Sequence, residues 1–340
     1  SNVDYTQTGV ATSVNIQSVN AKRNLVVGSS DKSGGSLQTV NIGLTDVNKP
    51  LSYTQYGSSV LTDYLYAGAN GVTLNQTTAS ETPSIKIGRL LSTEGSVTFY
   101  NAQVDLDGNL LAEGTYEQNY GSIDVASNKY ISANQGINIV SGNMILANGS
   151  ALKTTNAGAD INMIGTSNIN SGTKNLFGDI TAQGSYIQNS TGDIYVNQIL
   201  TGGGNPTAGT GVKVSGTGSL TVNNIGTVNN QVGYYTQGES GAPTVDVDSI
   251  QTSGDVIVSG GKLTARIIGT NDDIHRIASY TQNNNTEEVN IGAGGINSTG
   301  NVSISTGKLT TTGNIDARNG SYIQSGSSEV TLTDGKSISS

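Results

Sequence analysis

Apolar and polar residues alternate along this chain in short runs, most of them only three residues long. Val-x-Val, Ile-x-Ile and Tyr-x-Gln triplets follow one another, and Gly, Asn, Ser and Thr separate them. Alternation with a period of two is typical of a β-strand with one buried side, and the separating residues are those that favour turns. The pattern therefore predicts an all-β protein built from many short strands and tight corners.

One of these triplets, Tyr-x-Gln, recurs along almost the whole chain at intervals of 42 to 70 residues. Its copies begin at Tyr5, Tyr53, Tyr116, Tyr186, Tyr235, Tyr280 and Tyr322. A motif that returns in this way indicates that one supersecondary unit is stacked many times.

Longer segments also repeat. The segment 252–264 (TSGDVIVSGGKLT) aligns with 298–310 (STGNVSISTGKLT). The interval from Tyr280 to Tyr322 holds about six strand-like triplets, which suits two coils of about 21 residues with three strands each. We therefore predict a single-stranded parallel β-helix with inserted loops, forming one solenoid domain over residues 1–340. A β-sandwich is the alternative fold, and it usually needs strands of about five or more residues.

Two stretches, residues 57–98 and 131–178, lengthen the interval between Tyr-x-Gln triplets. We predict that they are insertions or irregular coils, because insertions leave a solenoid at its corners and often carry its function. A third stretch, residues 271–278, is the one place where the sequence suits a helical turn, and a longer corner loop is the alternative there.

The direction of the repeated tyrosines is open at this stage. Tyr and Gln of each triplet point to the same side of the strand. If that side is internal, the rings form a buried spine, and each Gln amide needs a hydrogen-bond partner. If it is external, rings and amides form a row with a spacing of roughly 9–10 Å, which resembles the disaccharide repeat of an extended β-linked glucan.

Aromatic faces with nearby amides suit stacking on sugar rings and hydrogen bonding to sugar hydroxyls. Tyr56, Tyr64 and Tyr66 form the strongest cluster, because a solvated loop need not bury three rings. The candidate carbohydrate-binding residues are Tyr53, Tyr56, Tyr64, Tyr66, Tyr116, Tyr186, Tyr235, Tyr280 and Tyr322, and further tyrosines such as Tyr100, Tyr120, Tyr130 and Tyr195 are additional candidates.

Charge and composition exclude several classes of function. The net charge is −9 and the 16 basic residues are scattered, which disfavours nucleic acids and anionic membranes as partners. No apolar run approaches the ~18 residues of a membrane span. The chain has no Cys, so disulfides and thiolate metal sites are absent. The low charge and the abundance of Asn, Thr and Gly indicate an extracellular or bacterial cell-surface protein. Because the chain begins with Ser1, we expect the natural protein to be longer.

Catalytic groups are scarce. His275 is the one His in the chain. Two acidic pairs with i, i+2 spacing, Asp105 with Asp107 and Asp246 with Asp248, could act in acid–base chemistry or bind Ca²⁺. They keep a polysaccharide lyase or hydrolase open as an alternative, beside a structural stalk. The prediction itself is a protein that is not an enzyme, with no catalytic residues, no metal and no cofactor.

The alternation of apolar and polar residues in Gly254–Thr264 and Gly300–Thr310 resembles that of the passenger repeats of filamentous-haemagglutinin-like bacterial surface proteins. That resemblance implies a right-handed β-helix used for adhesion. The size, the Tyr-rich and Cys-free composition and the repeat at Ser185–Gln188 are similar to the C-terminal domain of the tāpirins. Those are cellulose-binding surface proteins built on a β-helix. The resemblance implies an extracellular adhesin domain whose partner is insoluble plant polysaccharide, with cellulose as the first choice.

Overall fold

The structure is a computed structural model that describes residues 4–8, 13–29, 35–43, 48–57, 59–75, 84–204, 209–272, 274–284 and 287–340. Within these residues the chain is all-β, and its strands pair in parallel to form a β-solenoid, as the sequence predicts. The described part contains one short 3₁₀ helix, Gly202–Gly204, and no helix long and apolar enough to cross a membrane.

The solenoid divides into two compact units. Unit 1 comprises Ser1–Asn156 and Thr166–Ile169, and unit 2 comprises Ala157–Gly165 and Asn170–Ser340.

The strands of unit 1 are β1 (Tyr5–Gln7), β2 (Ser13–Val19), β3 (Asn24–Gly28), β4 (Ser36–Ile42), β5 (Ser52–Tyr56), β6 (Ser59–Ala67), β7 (Gly71–Asn75), β8 (Ser84–Thr93), β9 (Val97–Leu106), β10 (Asn109–Ala112), β11 (Thr115–Val125), β12 (Tyr130–Ala133), β13 (Gly136–Leu146) and β14 (Ala151–Thr154). β15 (Ile161–Ile169) contributes residues to both units.

The remaining strands of unit 2 are β16 (Asp179–Thr181), β17 (Tyr186–Ser190), β18 (Asp193–Leu200), β19 (Val212–Gly216), β20 (Ser219–Ile225), β21 (Tyr235–Gln237), β22 (Thr244–Ile250), β23 (Val256–Val258), β24 (Lys262–Ile268), β25 (Tyr280–Gln282), β26 (Glu288–Ser298), β27 (Val302–Ile304), β28 (Lys308–Thr311), β29 (Ile315–Ala317), β30 (Tyr322–Gln324), β31 (Glu329–Leu332) and β32 (Ile338–Ser339).

Each coil has three faces, which we name A, B and C in chain order. Face A carries the Tyr-x-Gln triplets. In unit 1 it runs through β1, β3, β5, β7, β9, β11 and β13 in register. In unit 2 it runs through β15, β17, β19, β21, β23, β25, β27 and β30. Long strands such as β6 and β11 bend at a corner and supply two successive faces.

The inward positions of face A hold either a Tyr-x-Gln triplet or two apolar residues. Tyr53 pairs with Val72, and Val72 pairs with Val97 in the next coil. Side chains such as Leu25, Val72 and Val256 are buried with the tyrosines, so one continuous core fills each unit. Burial of these apolar side chains is the main force that holds the coils together.

The two stretches predicted as insertions are mainly regular coils. Residues 59–75 and 84–98 form β6, β7, β8 and the start of β9, and residues 76–83 lie outside the described part. Residues 131–178 form most of β12, then β13, β14 and β15, followed by a loop over 170–178. Each stretch lengthens the interval because it adds a coil with apolar residues in place of Tyr-x-Gln.

The segment 271–278 is a corner loop and not a helical turn in its described residues. The Asp272 carboxylate accepts the backbone N–H groups of Ile274 (3.0 Å) and His275 (2.7 Å), which caps the bend without continuing it. The Arg276 side chain is buried, 4% exposed, and forms an ion pair with Asp316 at 2.8 Å.

Corners between faces require glycine at specific positions, and a substitution at Gly121 tests this requirement. Gly121 has φ +88, and a Cβ built there would lie 2.1 Å from the carbonyl oxygen of Ala102. Gly121→Ala should therefore lower the free energy of unfolding by about 2–4 kcal/mol. Urea denaturation measures the change. Gly172→Ala is the control, because no atom lies within 4 Å of its Cβ position, and it should change stability by less than about 0.5 kcal/mol. Equal stability of the two variants would contradict the corner geometry.

Candidate functional site

Five of the predicted binding tyrosines face the interior. The side chains of Tyr53, Tyr116, Tyr186, Tyr235 and Tyr280 are all 0% exposed. They cannot touch a polysaccharide, so the external row is wrong for these five and the buried spine is correct. Tyr322 lies in the last strand of face A and is half-buried, with the same inward hydrogen bond as the others.

Hydrogen bonds explain why a polar triplet is stable inside. Each Tyr hydroxyl donates to the Oε1 atom of the Gln two residues later, for example from Tyr53 to Gln55 at 2.9 Å and from Tyr235 to Gln237 at 2.7 Å. The Gln Nε2 then donates to a backbone carbonyl where face B begins in the next coil, such as Ser84 at 3.0 Å from Gln55. The triplet therefore ties each corner to the coil that follows, and its polar atoms are satisfied.

Burial also changes the acidity of these phenols. Removal from water penalises the phenolate, and it raises the pKa of the Tyr53, Tyr116, Tyr186, Tyr235 and Tyr280 hydroxyls well above the ordinary value near 10. These groups stay neutral at any pH at which the fold is intact.

A substitution at Tyr235 tests whether the repeated tyrosines stabilise the core or are exposed on the surface. Tyr235→Ala should lower the free energy of unfolding by about 3–5 kcal/mol, because it leaves a cavity and orphans the Gln237 amide. Tyr235→Phe should cost about 1–2 kcal/mol, since only the hydroxyl is lost. Hydrogen exchange of β19, β21 and β23 reports the local loss. Tyr120→Ala is the exposed control, and a Tyr235→Ala protein as stable as this control would refute the buried spine.

Two other predicted tyrosines lie together on the outside of unit 1. Tyr64 and Tyr66 project from face C of β6, and their ring centroids are 6.1 Å apart with an interplanar angle of 5°. Further partly exposed side chains follow on the same face in successive coils. We name this surface the aromatic face and define it as Tyr64, Tyr66, Leu90, Leu111 and Tyr130.

Cationic side chains pack against these rings. The Arg89 guanidinium lies 5.8 Å from the Tyr64 centroid and donates to its hydroxyl at 3.4 Å. The Lys153 ammonium lies 3.3 Å from the Tyr130 centroid, and partial burial lowers the Lys153 pKa. Such cation–π contacts restrain the rings, so less conformational entropy is lost on binding.

Tyr56 does not belong to this face. It lies at the corner between faces A and B, where Tyr56, Asn75, Tyr100 and Tyr120 occupy successive coils. Tyr100 is 44% exposed and Tyr120 is 61% exposed. We name these four residues the exposed ladder. The prediction from sequence grouped Tyr56 with Tyr64 and Tyr66 because the three are close along the chain. In the structure Tyr56 is instead aligned with Tyr100, which that prediction did not pair with it.

Three of the four carboxylates in the acidic pairs, those of Asp105, Asp107 and Asp248, are engaged in ion pairs. Asp105 and Asp107 both contact the Lys86 ammonium, at 2.7 and 2.8 Å. Asp248 accepts two hydrogen bonds from Arg266, at 2.6 and 3.0 Å, and these hold the pKa of Asp248 below its usual value. Asp248 therefore does not suit the general-acid role, which needs a carboxyl that stays protonated.

Metal ligands are not concentrated anywhere in the described residues, which contain no group of three or more His, Asp or Glu side chains able to hold an ion.

Comparisons with known proteins found no relative. No protein family matches the chain, and no curated protein or solved structure matches it.

Proposed function

We propose that this chain is a non-enzymatic adhesin domain of a bacterial surface, which binds insoluble plant polysaccharide, cellulose first, through the aromatic face. The observation that carries the proposal is the parallel pair of Tyr64 and Tyr66, aligned in register with Leu90, Leu111 and Tyr130 on one outer sheet face. Outer strand positions of a solenoid are usually polar, so this concentration of apolar surface suits a partner.

The shape of the aromatic face favours a flat ligand. Its side chains stand on adjacent parallel strands about 4.8 Å apart, so Tyr64 and Tyr130, three coils from each other, are separated by about 14 Å. Pyranose rings of a β-linked glucan present apolar C–H faces that pack on aromatic rings. Asn109 and Ser92 lie between the apolar side chains and can hydrogen-bond sugar hydroxyls.

The net charge of the chain favours a neutral polysaccharide as the ligand. The net charge of −9 repels polyanions, while Arg89 and Lys153 are engaged with rings on the aromatic face. The likeness to bacterial surface repeats and the absence of Cys agree with an extracellular location.

The test is a pull-down of the full chain on microcrystalline cellulose, with insoluble xylan and chitin in parallel. We expect cellulose to deplete the protein from solution and to retain it through washing in 1 M salt, because the contacts are mainly apolar. Absence of depletion on all three polymers would overturn the proposal. Retention that disappears in salt would show electrostatic adsorption and would also count against it.

A further inference from the structure

Unit 2 carries a groove of about 510 Å³ along faces B and C, on the outer side of β20, β22, β24 and β26. Its floor includes a row of polar side chains, Thr221, Asp246, Thr264 and Asn290, in successive coils. Leu176, from the loop over 170–178, lines it as well. We name this feature the groove.

Three adjacent floor residues have side chains with no hydrogen-bond partner in the described part of the chain. They are Thr221, Asp246 and Thr264, and the register places them opposite one another on β20, β22 and β24. The row beside them is different, because Asp248 is held by Arg266 and Asn223 donates to Asn197 at 3.0 Å. One row of floor residues is therefore fixed by hydrogen bonds within the protein. The row beside it, Thr221, Asp246 and Thr264, can form hydrogen bonds to a ligand.

The loop that supplies Leu176 is well fixed. The Asn170 side-chain amide is buried and donates to the carbonyls of Asn175, Phe177 and Tyr195 at 3.0–3.3 Å. Asn170 itself adopts φ +53, a conformation that Asn tolerates. A loop restrained in this way offers a preorganised apolar contact beside the polar floor.

We propose that the groove binds a single chain of a neutral, β-linked oligosaccharide lying along the stack of coils. The strand spacing of about 4.8 Å is close to the length of one sugar in an extended chain, so each coil can address one sugar. The Asp246 carboxylate accepts hydrogen bonds from vicinal hydroxyls, Thr221 and Thr264 bind the neighbouring sugars, and Leu176 packs on a C–H face. The charge of Asp246 disfavours uronic acids.

This site is separate from the aromatic face and does not depend on the proposed function. The experiment titrates the full chain with cellohexaose, xylohexaose and mannohexaose in a calorimeter. We expect at least one of them to bind with a dissociation constant below about 1 mM. Asp246→Ala and Leu176→Ser should each weaken that binding at least fivefold. Glu239→Ala, which removes an exposed carboxylate outside the groove, should leave it unchanged.

Three results would overturn the inference. One is no heat with any of the oligosaccharides. Another is binding that Asp246→Ala and Leu176→Ser leave intact. The third is binding of Ca²⁺ alone that Asp246→Ala removes, which would make the groove a cation site. Cellulose retention serves as the cross-check: Asp246→Ala should keep it, and Tyr64→Ala/Tyr66→Ala should keep oligosaccharide binding, so failure at one site is distinguishable from failure at the other.

Discussion

Raising the pH from 10 to 12 should unfold the solenoid, with its buried tyrosines as the cause. In the folded chain the pKa of Tyr53, Tyr116, Tyr186, Tyr235 and Tyr280 lies well above the unfolded value near 10. Below pH 10 both states keep the proton and stability is unaffected. Above pH 10 the unfolded chain releases protons that the folded chain retains, so stability falls as pH rises.

The size of the effect follows from the number of groups. Each buried phenol costs about 1.4 kcal/mol of stability per pH unit above 10, and five cost about 7 kcal/mol per unit. A native protein has only about 5–15 kcal/mol of stability, so the transition should fall between about pH 11 and 12. Circular dichroism follows the loss of β-structure, and ultraviolet absorbance follows the appearance of phenolate.

Tyr53→Phe gives a sharp control for this transition. The variant should be less stable than the parent at pH 7 by about 1–2 kcal/mol, because Gln55 loses its donor. Above pH 10 its stability should fall less steeply than that of the parent, by about 1.4 kcal/mol per pH unit, because one ionisable group has gone from the core. Tyr120→Phe, at an exposed position, should leave the alkaline midpoint unchanged. Titration of all tyrosines near pH 10 with intact β-structure would contradict the buried spine.

Replacing both Tyr64 and Tyr66 with alanine should reduce retention on cellulose at least tenfold, equivalent to about 1.4 kcal/mol or more. The two rings form the most ordered aromatic pair on the aromatic face, and their loss removes the stacking platform. Fold stability should change little, because both side chains lie on the outer side of the sheet. Adsorption isotherms on microcrystalline cellulose measure the change.

Two variants control this experiment. Tyr64→Phe/Tyr66→Phe should keep most of the retention, since the rings remain. Tyr100→Ala/Tyr120→Ala removes two rings from the exposed ladder, and it should retain the parental affinity. If the exposed-ladder variant loses binding and the aromatic-face variant does not, the ligand lies at the corner between faces A and B, and the assignment to face C is wrong.

The fold was accessible from sequence because its determinants are local. Period-two alternation, triplet length and Gly or Asn at corners each report on a few neighbouring residues, as at Val302–Ile304. The direction of the tyrosines was not accessible in the same way. The residues between Tyr and Gln, such as Thr54 and Glu117, fit either side, and the partner of Gln55 is the carbonyl of Ser84 in the next coil. A polar side chain looks external until that distant acceptor is known.

The candidate site depends on register between coils, which composition does not reveal. Tyr64 and Tyr130 share a face only because β6, β8, β10 and β12 pair in sequence. The coils at β7 and β9 lack the repeated motif, so the sequence predicts an insertion or irregular coil over residues 57–98, where the structure has regular strands. Leu90 and Leu111, which complete the aromatic face, resemble core residues until the strands are aligned.

The alternation on face A has a consequence for how such a chain can grow in evolution. Within each unit no Tyr-x-Gln coil lies directly against another, whereas the coils of β7 and β9, which carry apolar residues instead, are adjacent. Duplication of such an apolar coil by genetic recombination is therefore tolerated. Duplication of a tyrosine coil alone would force two phenols into neighbouring layers, and both glutamine amides would compete for one corner. Gene segments encoding a tyrosine coil should consequently be inherited together with an apolar neighbour, as a pair of about 45 residues.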